Sequence, residues 1–213
     1  MIHSRKPPRD QLIVLFVSLS CLIGFLLLAF LKSSLTATDM AVNSWSVSIR
    51  AGSLTLMSGV ISYGFDTTVL LPVTVLIAAY LFYRGHRMYA VLFAGAMGGI
   101  ALLATVVKAL VQSARPLNGL IRESGFSFPS GHVTSTVVFF GLLTYFAWQH
   151  WKATYAKALS SVLFVVVESL VGFSRVYLNV HWLSDVLAGT LLGALWLVFM
   201  IFLFRYSAMN SQS

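Results

Sequence analysis

Charged residues are scarce in this chain of 213 residues: they make up 9% of it, against 58% hydrophobic residues, and the mean hydropathy is +0.87. A water-soluble domain carries far more charge on its surface. There is one cysteine, Cys21, which excludes an intrachain disulfide bond. Tandem repeats and low-complexity tracts are also lacking. The composition therefore indicates an integral membrane protein, with residues 1–213 forming one compact helical domain.

Acidic residues are the rarest charged type, with six against 14 Lys and Arg, so the formal net charge is +8. Such a balance can indicate nucleic-acid binding, but here the basic residues fall in short clusters between apolar runs instead of one patch. Topology explains that distribution better than a polyanionic partner does. We therefore expect a membrane-bilayer partner and no nucleic acid.

Six apolar runs are predicted to cross a bilayer as helices. They cover approximately residues 12–31, 68–83, 88–111, 132–148, 158–177 and 183–204. The stretch between the first and second runs, residues 32–67, is less hydrophobic and is expected to form short interfacial helices. The predicted fold is an all-α integral membrane protein with six transmembrane helices.

Basic residues orient these spans, because positively charged loops stay in the cytoplasm. Placing both termini inside puts eight of the Lys and Arg residues in the cytoplasm, namely Arg5, Lys6, Arg9, Arg84, Arg87, Lys152, Lys157 and Arg205. Three polar clusters then emerge on the extracytoplasmic face.

These clusters each stand at the end of an apolar run. They read KALVQSARP over 108–116, PSGH over 129–132 and SRVYLNVHWLSD over 174–185. Charged side chains at membrane depth are costly, so clusters of this kind at such positions predict one shared polar site.

Two histidines and one aspartate give that site its reactive groups. His181 and Asp185 are four residues apart, which places them on one face if the segment is helical. A carboxylate that binds one ring nitrogen leaves the other free as a nucleophile. We therefore predict that His181 is the nucleophile, that Asp185 orients it, and that His132 is the general acid and base on the opposite side.

The remaining polar residues are those that hold a tetrahedral dianion. Lys108, Arg115 and Arg175 supply fixed cations, while Ser130 and Gly131 stand where a helix N-terminus exposes unpaired N–H groups. Transfer of a phosphoryl group depends mostly on positioning and charge neutralisation. The predicted reaction is hydrolysis of a phosphate monoester or pyrophosphate through a covalent intermediate.

The motifs KxxxxxxRP, PSGH and SRxxxxxHxxxD resemble the three signatures of the type 2 phosphatidic-acid phosphatase superfamily, in order and spacing. The resemblance implies metal-free catalysis without a cofactor, an extracytoplasmic active site, and the residue roles given above. It also implies a phosphorylated lipid substrate in a bacterial cytoplasmic membrane, such as phosphatidylglycerophosphate, undecaprenyl pyrophosphate or phosphatidic acid.

Several alternatives stay open. A phosphotransferase could use the same scaffold, and a phospholipid transporter or binding protein could use the cations without chemistry. The carboxylates Asp39, Asp66 and Glu123 have no spacing typical of a metal cage, so no metal is expected. Glu168 is either a structural residue or a lining residue that orients Arg175 or the substrate headgroup. The oligomeric state is not predicted.

Overall fold

A computed structural model of the protein describes residues 9–210. Across these residues the chain forms eight α-helices: α1 (Arg9–Phe30), α2 (Thr36–Ser48), α3 (Gly52–Gly64), α4 (Thr67–Tyr83), α5 (Arg87–Val111), α6 (Gly131–His150), α7 (Thr154–Tyr177) and α8 (Leu183–Asn210). The prediction of an all-α fold is confirmed for this part of the chain. The predicted cytoplasmic positions of Arg5 and Lys6 lie outside the described residues.

Four helices are long and apolar enough to cross a membrane, over Leu12–Phe30, Arg87–Val111, Thr154–Tyr177 and Leu183–Ser207. Together α3 and α4 also meet this criterion, with a bend of 43° between them. The chain is therefore a multi-pass membrane protein. Within residues 9–210 it has four candidate spans, or five if the bent pair is one, so the predicted number of six is not confirmed.

The predicted span at 132–148 corresponds to α6, which does not meet the criterion because it carries more polar residues. This helix packs against α4, α5, α7 and α8, so most of its surface faces protein. Thr134 and Thr136 are buried there and donate to carbonyl groups one turn earlier in the helix. A helix enclosed in this way does not need a lipid-like composition.

Residues 32–67 form α2 and α3, in agreement with the expected short helices. The structure differs in how they connect, since α3 runs almost directly into α4 and the second apolar segment begins at Gly52. Asp66 stands at the bend, where its side chain accepts a hydrogen bond from the Thr68 amide at 2.7 Å and caps α4.

Helices α6 and α8 approach closely along a face of small residues. A Cβ atom at Gly193 would lie 2.8 Å from Val137 Cβ and 3.0 Å from the Thr134 carbonyl oxygen. At Gly189 it would lie 2.9 Å from the Ser130 carbonyl oxygen. Small residues let membrane helices meet at this distance. The contact holds the start of α6 against the first turns of α8, where the predicted site residues lie.

We expect Gly193→Ala to destabilise the protein by about 1–3 kcal/mol, because the new methyl group overlaps backbone that cannot move independently. Thermal unfolding in detergent measures the change. The matched control is Gly98→Ala in α5, where the position around an added Cβ atom is open. That control should be neutral or slightly stabilising, since alanine favours a helix over glycine by up to about 1 kcal/mol. Equal melting temperatures for both variants would contradict the close-packing interpretation.

Candidate active site

The three sequence motifs meet at one end of the helix bundle. The loop from 112 to 130 leaves α5 and crosses the turn between α7 and α8, where the Leu120 amide donates to the Leu178 carbonyl at 2.8 Å. The Ser130 amide donates to the Asp185 carbonyl at 3.0 Å, which joins the start of α6 to the start of α8. The structure thus brings together all the residues of the predicted site except Glu168.

His181 is buried in the turn between α7 and α8, with 2% of its surface exposed. Its Nδ1 atom lies 3.4 Å from Asp185 Oδ2, and its Nε2 atom lies 3.1 Å from Arg115 Nη1. A guanidinium group can only donate, so Nε2 carries the lone pair and the ring proton is on Nδ1. The Nδ1 to Oδ2 separation is longer than an ordinary hydrogen bond, as in many ligand-free active sites.

Burial lowers the pKa of His181 to about 3, with Arg175 and Arg115 acting in the same direction and Asp185 acting against them. The imidazole therefore stays neutral at neutral pH. Burial also lowers the pKa of Arg115, which keeps its charge because a guanidinium does not deprotonate in proteins. A neutral imidazole with an unprotonated Nε2 atom beside a fixed cation is suited to attack on an anionic centre.

Asp185 lies in the first turn of α8, and His181 lies in the turn just before that helix. The Asp185 Oδ2 atom accepts from the Trp182 amide at 2.9 Å, and α8 begins at Leu183. A carboxylate in the first turn of a helix satisfies an amide that has no helical partner. The side chain therefore both caps α8 and faces the ring of His181.

His132 has the opposite surroundings at its Nε2 atom. That atom lies 2.7 Å from Asp66 Oδ2 and 3.3 Å from Arg175 Nη1. The shorter contact is to a carboxylate, which can only accept, so we infer that Nε2 of His132 carries a proton. One histidine thus presents a lone pair and the other a proton, as a nucleophile and a general acid require.

The three cations of the site are held in place by carbonyl groups and one carboxylate. Lys108 Nζ donates to the Phe126 carbonyl at 2.7 Å. Arg115 donates to the carbonyl groups of Ser124 at 3.1 Å, Gly125 at 3.0 Å and Val180 at 2.8 Å. These contacts fix the direction of each positive charge before a substrate arrives.

The carboxylate is that of Glu123, which lies between two of the cations. Its Oε1 atom accepts from Arg175 Nη2 at 2.5 Å, and its Oε2 atom lies 3.9 Å from Arg115 Nη2. Arg175 is fully buried, so an anion beside it offsets the cost of its desolvation. The space between the two guanidinium groups therefore accommodates an anion.

Ser130 and Gly131 lie at the N-terminus of α6, as predicted. The Ser130 hydroxyl is fully buried and has no hydrogen-bond partner among the described residues. The backbone amide of Ser130 is used by Asp185, so the hydroxyl and the first amides of α6 are the groups that could receive a substrate oxygen. A Cβ atom at Gly131 would lie 3.9 Å from Lys108 Cε, which places Lys108 beside this turn.

Glu168 lies apart from these residues. Its Oε1 atom accepts from Thr190 Oγ1 at 3.1 Å, and it lines a groove of about 380 Å³ with Trp45 and Phe173. The described partners of Arg175 are Glu123, His132 and Ser62. The contact that the structure gives Glu168 is therefore with α8, while a role beneath the phosphate site stays a prediction.

Within residues 9–210 there is no group of three or more His, Cys, Asp or Glu residues that could hold a metal ion. Metal independence stays a prediction for measurement.

Four charged residues that were not among the predicted site residues also lie at the site. Lys32 and Asp39 contact Asp185 or its neighbour Ser184, Asp66 contacts His132, and Glu123 contacts Arg175. The signal that could have found them is the cost of burying charge, because a charged side chain near membrane depth needs a partner of opposite sign. Those partners come from segments distant in sequence, which spacing alone does not connect.

Known proteins resemble the chain in both sequence and fold. The PAP2 superfamily model matches residues 89–209. Phosphatidylglycerophosphatase B of Bacillus subtilis (strain 168) is 33% identical over 186 residues, which cover 85% of this chain and 91% of that protein. Undecaprenyl-diphosphatase of Sulfolobus acidocaldarius is 31% identical over 141 residues, covering 62% of this chain and 61% of that protein.

Two solved structures share the fold. The crystal structure of the transmembrane PAP2 type phosphatidylglycerolphosphate phosphatase from Bacillus subtilis superposes with a TM-score of 0.82 at 32% identity, covering 92% of this chain and 97% of that one. LpxE of Aquifex aeolicus superposes with a TM-score of 0.58 at 20% identity, covering 76% and 93%. The chain belongs to the PAP2 superfamily, and it is a phosphatase of that class.

We expect Asp66→Asn to lower kcat for an alkyl phosphate ester on the order of tenfold to a hundredfold with little change in KM. The reason is that His132, the predicted general acid, loses the carboxylate that faces its Nε2 atom, and a general acid contributes about 10²- to 10⁴-fold to catalysis. Asparagine is as good a helix cap as aspartate, so α4 is preserved.

The comparison substrate is a nitrophenyl phosphate, whose leaving group departs without a proton. Its hydrolysis should be much less affected by Asp66→Asn than that of the alkyl ester. Equal losses for both substrates would mean that Asp66 does not act through His132.

Proposed function

We propose that the protein is a metal-independent integral-membrane lipid phosphatase of the bacterial cytoplasmic membrane. It hydrolyses the terminal phosphate of phosphatidylglycerophosphate or undecaprenyl pyrophosphate, with phosphatidic acid as a further candidate. The observation that carries the proposal is the pair of histidines with opposite Nε2 partners, Arg115 for His181 and Asp66 for His132, beside two arginines that already hold a carboxylate.

The first step is attack of the His181 Nε2 lone pair on the phosphorus atom. A phosphorus–nitrogen bond forms while the bond from phosphorus to the leaving oxygen breaks. His132 gives its proton to that oxygen, so the lipid leaves as a neutral alcohol, or as a lipid monophosphate if the substrate is a pyrophosphate. Asp185 accepts the Nδ1–H of His181 and stabilises the positive charge that develops on the ring.

The second step reverses these roles. His132, now neutral, takes a proton from water as the water oxygen attacks phosphorus and the bond to His181 breaks. Inorganic phosphate leaves, His181 recovers its lone pair and His132 recovers its proton. Nucleophile and acid must stand on opposite sides of phosphorus for an in-line displacement, which is why two histidines are needed.

The non-reacting phosphate oxygens bind to Lys108, Arg115 and Arg175. Arginine can bind two oxygens of one phosphate, while lysine acts as a point charge. The Ser130 hydroxyl and the Gly131 amide complete the cradle at the start of α6. The substrate phosphate takes the place of the Glu123 carboxylate between Arg115 and Arg175. One anion replaces another, and the two cations are already in position.

The site faces the extracytoplasmic side, and both termini are cytoplasmic. The orientation is supported by Arg84, Arg87, Lys152 and Lys157, which lie in loops or helix ends at the opposite end of the bundle from the start of α6. Six transmembrane passages result if α3 and α4 form one bent span and α6 is counted as a span enclosed by the others. The acyl or prenyl chains reach the site laterally from the outer leaflet.

Resemblance to the two relatives supports the choice of substrates. One is named for phosphatidylglycerophosphate and matches over most of both chains, while the other is named for undecaprenyl pyrophosphate and matches over about three fifths. Both substrates present a terminal phosphate on a lipid, so the catalytic geometry serves either.

The phosphotransferase alternative shares the first step and differs in the acceptor, which would be a lipid or sugar hydroxyl instead of water. A phospholipid transporter or binding protein would need the cations and not the two histidines. The opposite Nε2 partners of His181 and His132 favour chemistry over binding, because binding alone does not require one nitrogen that accepts and one that donates.

The experiment is phosphate release by purified protein in detergent, with EDTA present, from phosphatidylglycerophosphate, undecaprenyl pyrophosphate and phosphatidic acid. We expect EDTA-resistant release that is lost in His181→Ala, and the order of kcat/KM names the substrate. Glu168→Gln is assayed in the same way, and a change in its turnover would support a role at the phosphate site.

Loss of activity in EDTA that added divalent metal restores would overturn metal independence. Lipid binding without phosphate release would indicate the transporter, and a phosphorylated acceptor would indicate the transferase.

A further inference from the structure

A group of buried charges lies directly behind Asp185, on the side away from His181. Lys32, just after α1, places its Nζ atom 2.8 Å from Asp185 Oδ1 and 3.1 Å from Asp39 Oδ2. Its third contact is to Ser184 Oγ at 2.5 Å. Helices α1, α2 and α8 are thus joined through one ammonium group.

This ammonium group has no spare hydrogen-bonding capacity. A lysine has three N–H donors, and Lys32 uses them on Asp185, Asp39 and Ser184. Its side chain is 17% exposed, and the ammonium lies 5.8 Å from the centre of the Phe128 ring and 5.9 Å from that of Trp182. Hydrogen bonds and the two aromatic rings therefore hold Lys32 Nζ in place.

Asp39 holds Lys32 and the start of α8 together. It is 4% exposed, and its Oδ1 atom accepts from the Ser184 amide at 2.9 Å while its Oδ2 atom accepts from Ser184 Oγ at 2.6 Å. The second oxygen also faces Lys32. Asp39 thus caps α8 from α2 and anchors the lysine that meets Asp185.

Asp185 needs such a partner because it is fully buried. An isolated buried carboxylate is costly and tends to take up a proton, after which it no longer stabilises a positive imidazole. Its described contacts are Lys32 at Oδ1, the Trp182 amide at Oδ2 and the ring of His181. Lys32 is the cation that touches it.

We propose that Lys32, anchored by Asp39 and Ser184, is a positioning residue for the nucleophile: it holds Asp185 ionised and oriented toward His181 Nδ1. This inference rests on the proposed phosphatase function and adds residues from the N-terminal third of the chain to it. The PAP2 superfamily model matches residues 89–209, so Lys32 and Asp39 lie outside the matched region and outside the three motifs.

The proposal predicts a change in pH dependence as well as in rate. Around the site, the charged and titratable groups are Lys32 after α1, Asp39 on α2, Asp66 before α4, Lys108 on α5, Arg115 and Glu123 in the next loop, His132 on α6, Arg175 on α7, and His181 and Asp185 at the start of α8. Removing the positive charge of Lys32 leaves the others in place. Without that charge the buried Asp185 carboxylate takes up a proton more readily, so the pH below which activity is lost should rise.

The test begins with Lys32→Met, which keeps an unbranched apolar stem of similar length and removes the charged ammonium group. We expect kcat to fall at least about tenfold with little change in KM, and by less than in Asp185→Asn, since loss of the orienting carboxylate costs about 10⁴-fold in serine-protease triads. The acid limb of kcat/KM should move to higher pH by about one unit. Lys32→Arg should recover a large part of both effects.

A double-mutant cycle separates this role from general stabilisation. If Lys32 acts through Asp185, adding Lys32→Met to Asp185→Asn should lower kcat little or not at all. Independent effects would instead multiply to within about twofold. Multiplying effects, or an acid limb that does not move, would overturn the proposal even if kcat falls.

The matched control is Lys152→Met, an exposed lysine in the loop after α6. That helix has 20 residues, so its two ends are about 30 Å apart, and this control should retain full activity. Melting temperatures of all variants in detergent identify any variant that fails to fold. If Lys32→Met fails to fold, the activity and pH profile of Lys32→Arg test the proposal instead.

The outcomes also separate this inference from the proposed function. A wild-type protein that releases no phosphate from any of the three lipids contradicts the function. An active wild-type protein with a fully active Lys32→Met variant contradicts only the role of Lys32.

Discussion

The contact between Glu123 and Arg175 is the interaction on which the site depends. Arg175 is fully buried at the end of a membrane helix, and a buried guanidinium without an anion would be strongly destabilising. The Glu123 carboxylate supplies that anion and also lies near Arg115. The protein thus keeps two cations together by holding an internal carboxylate between them.

Other charged residues of the site are also paired with a residue of opposite charge. Asp185 is matched by Lys32, Lys32 is matched again by Asp39, and His132 is matched by Asp66. The pairs Lys32–Asp185 and Asp66–His132 join segments distant in sequence, so these charges also help to fix the arrangement of the bundle. Because the surroundings are apolar, these pairs are only weakly screened.

Much of this arrangement could be predicted from the sequence. The apolar runs predicted the all-α fold, and the three motifs predicted residues that the structure brings together, because their spacing encodes local geometry. Lys32, Asp39 and Asp66 could not be placed, since they reach the site through tertiary contacts from α1, α2 and the bend before α4. The pattern of apolar runs also did not determine the number of membrane spans. Helix α6 is enclosed by other helices, so its hydropathy reflects protein surroundings instead of lipid.

The central claim is that the phosphoryl group passes through His181. The most direct measurement is rapid quenching of the protein with a lipid substrate labelled with ³²P at its terminal phosphate, followed by mapping of the label. We predict a protein-bound label on His181 that is labile in acid and stable in alkali, and that is absent from His181→Ala. It also predicts that His132→Ala accumulates the label with an activated aryl phosphate, because hydrolysis of the intermediate loses its base. Phosphate release from active protein with no label on His181 at any quench time would contradict it.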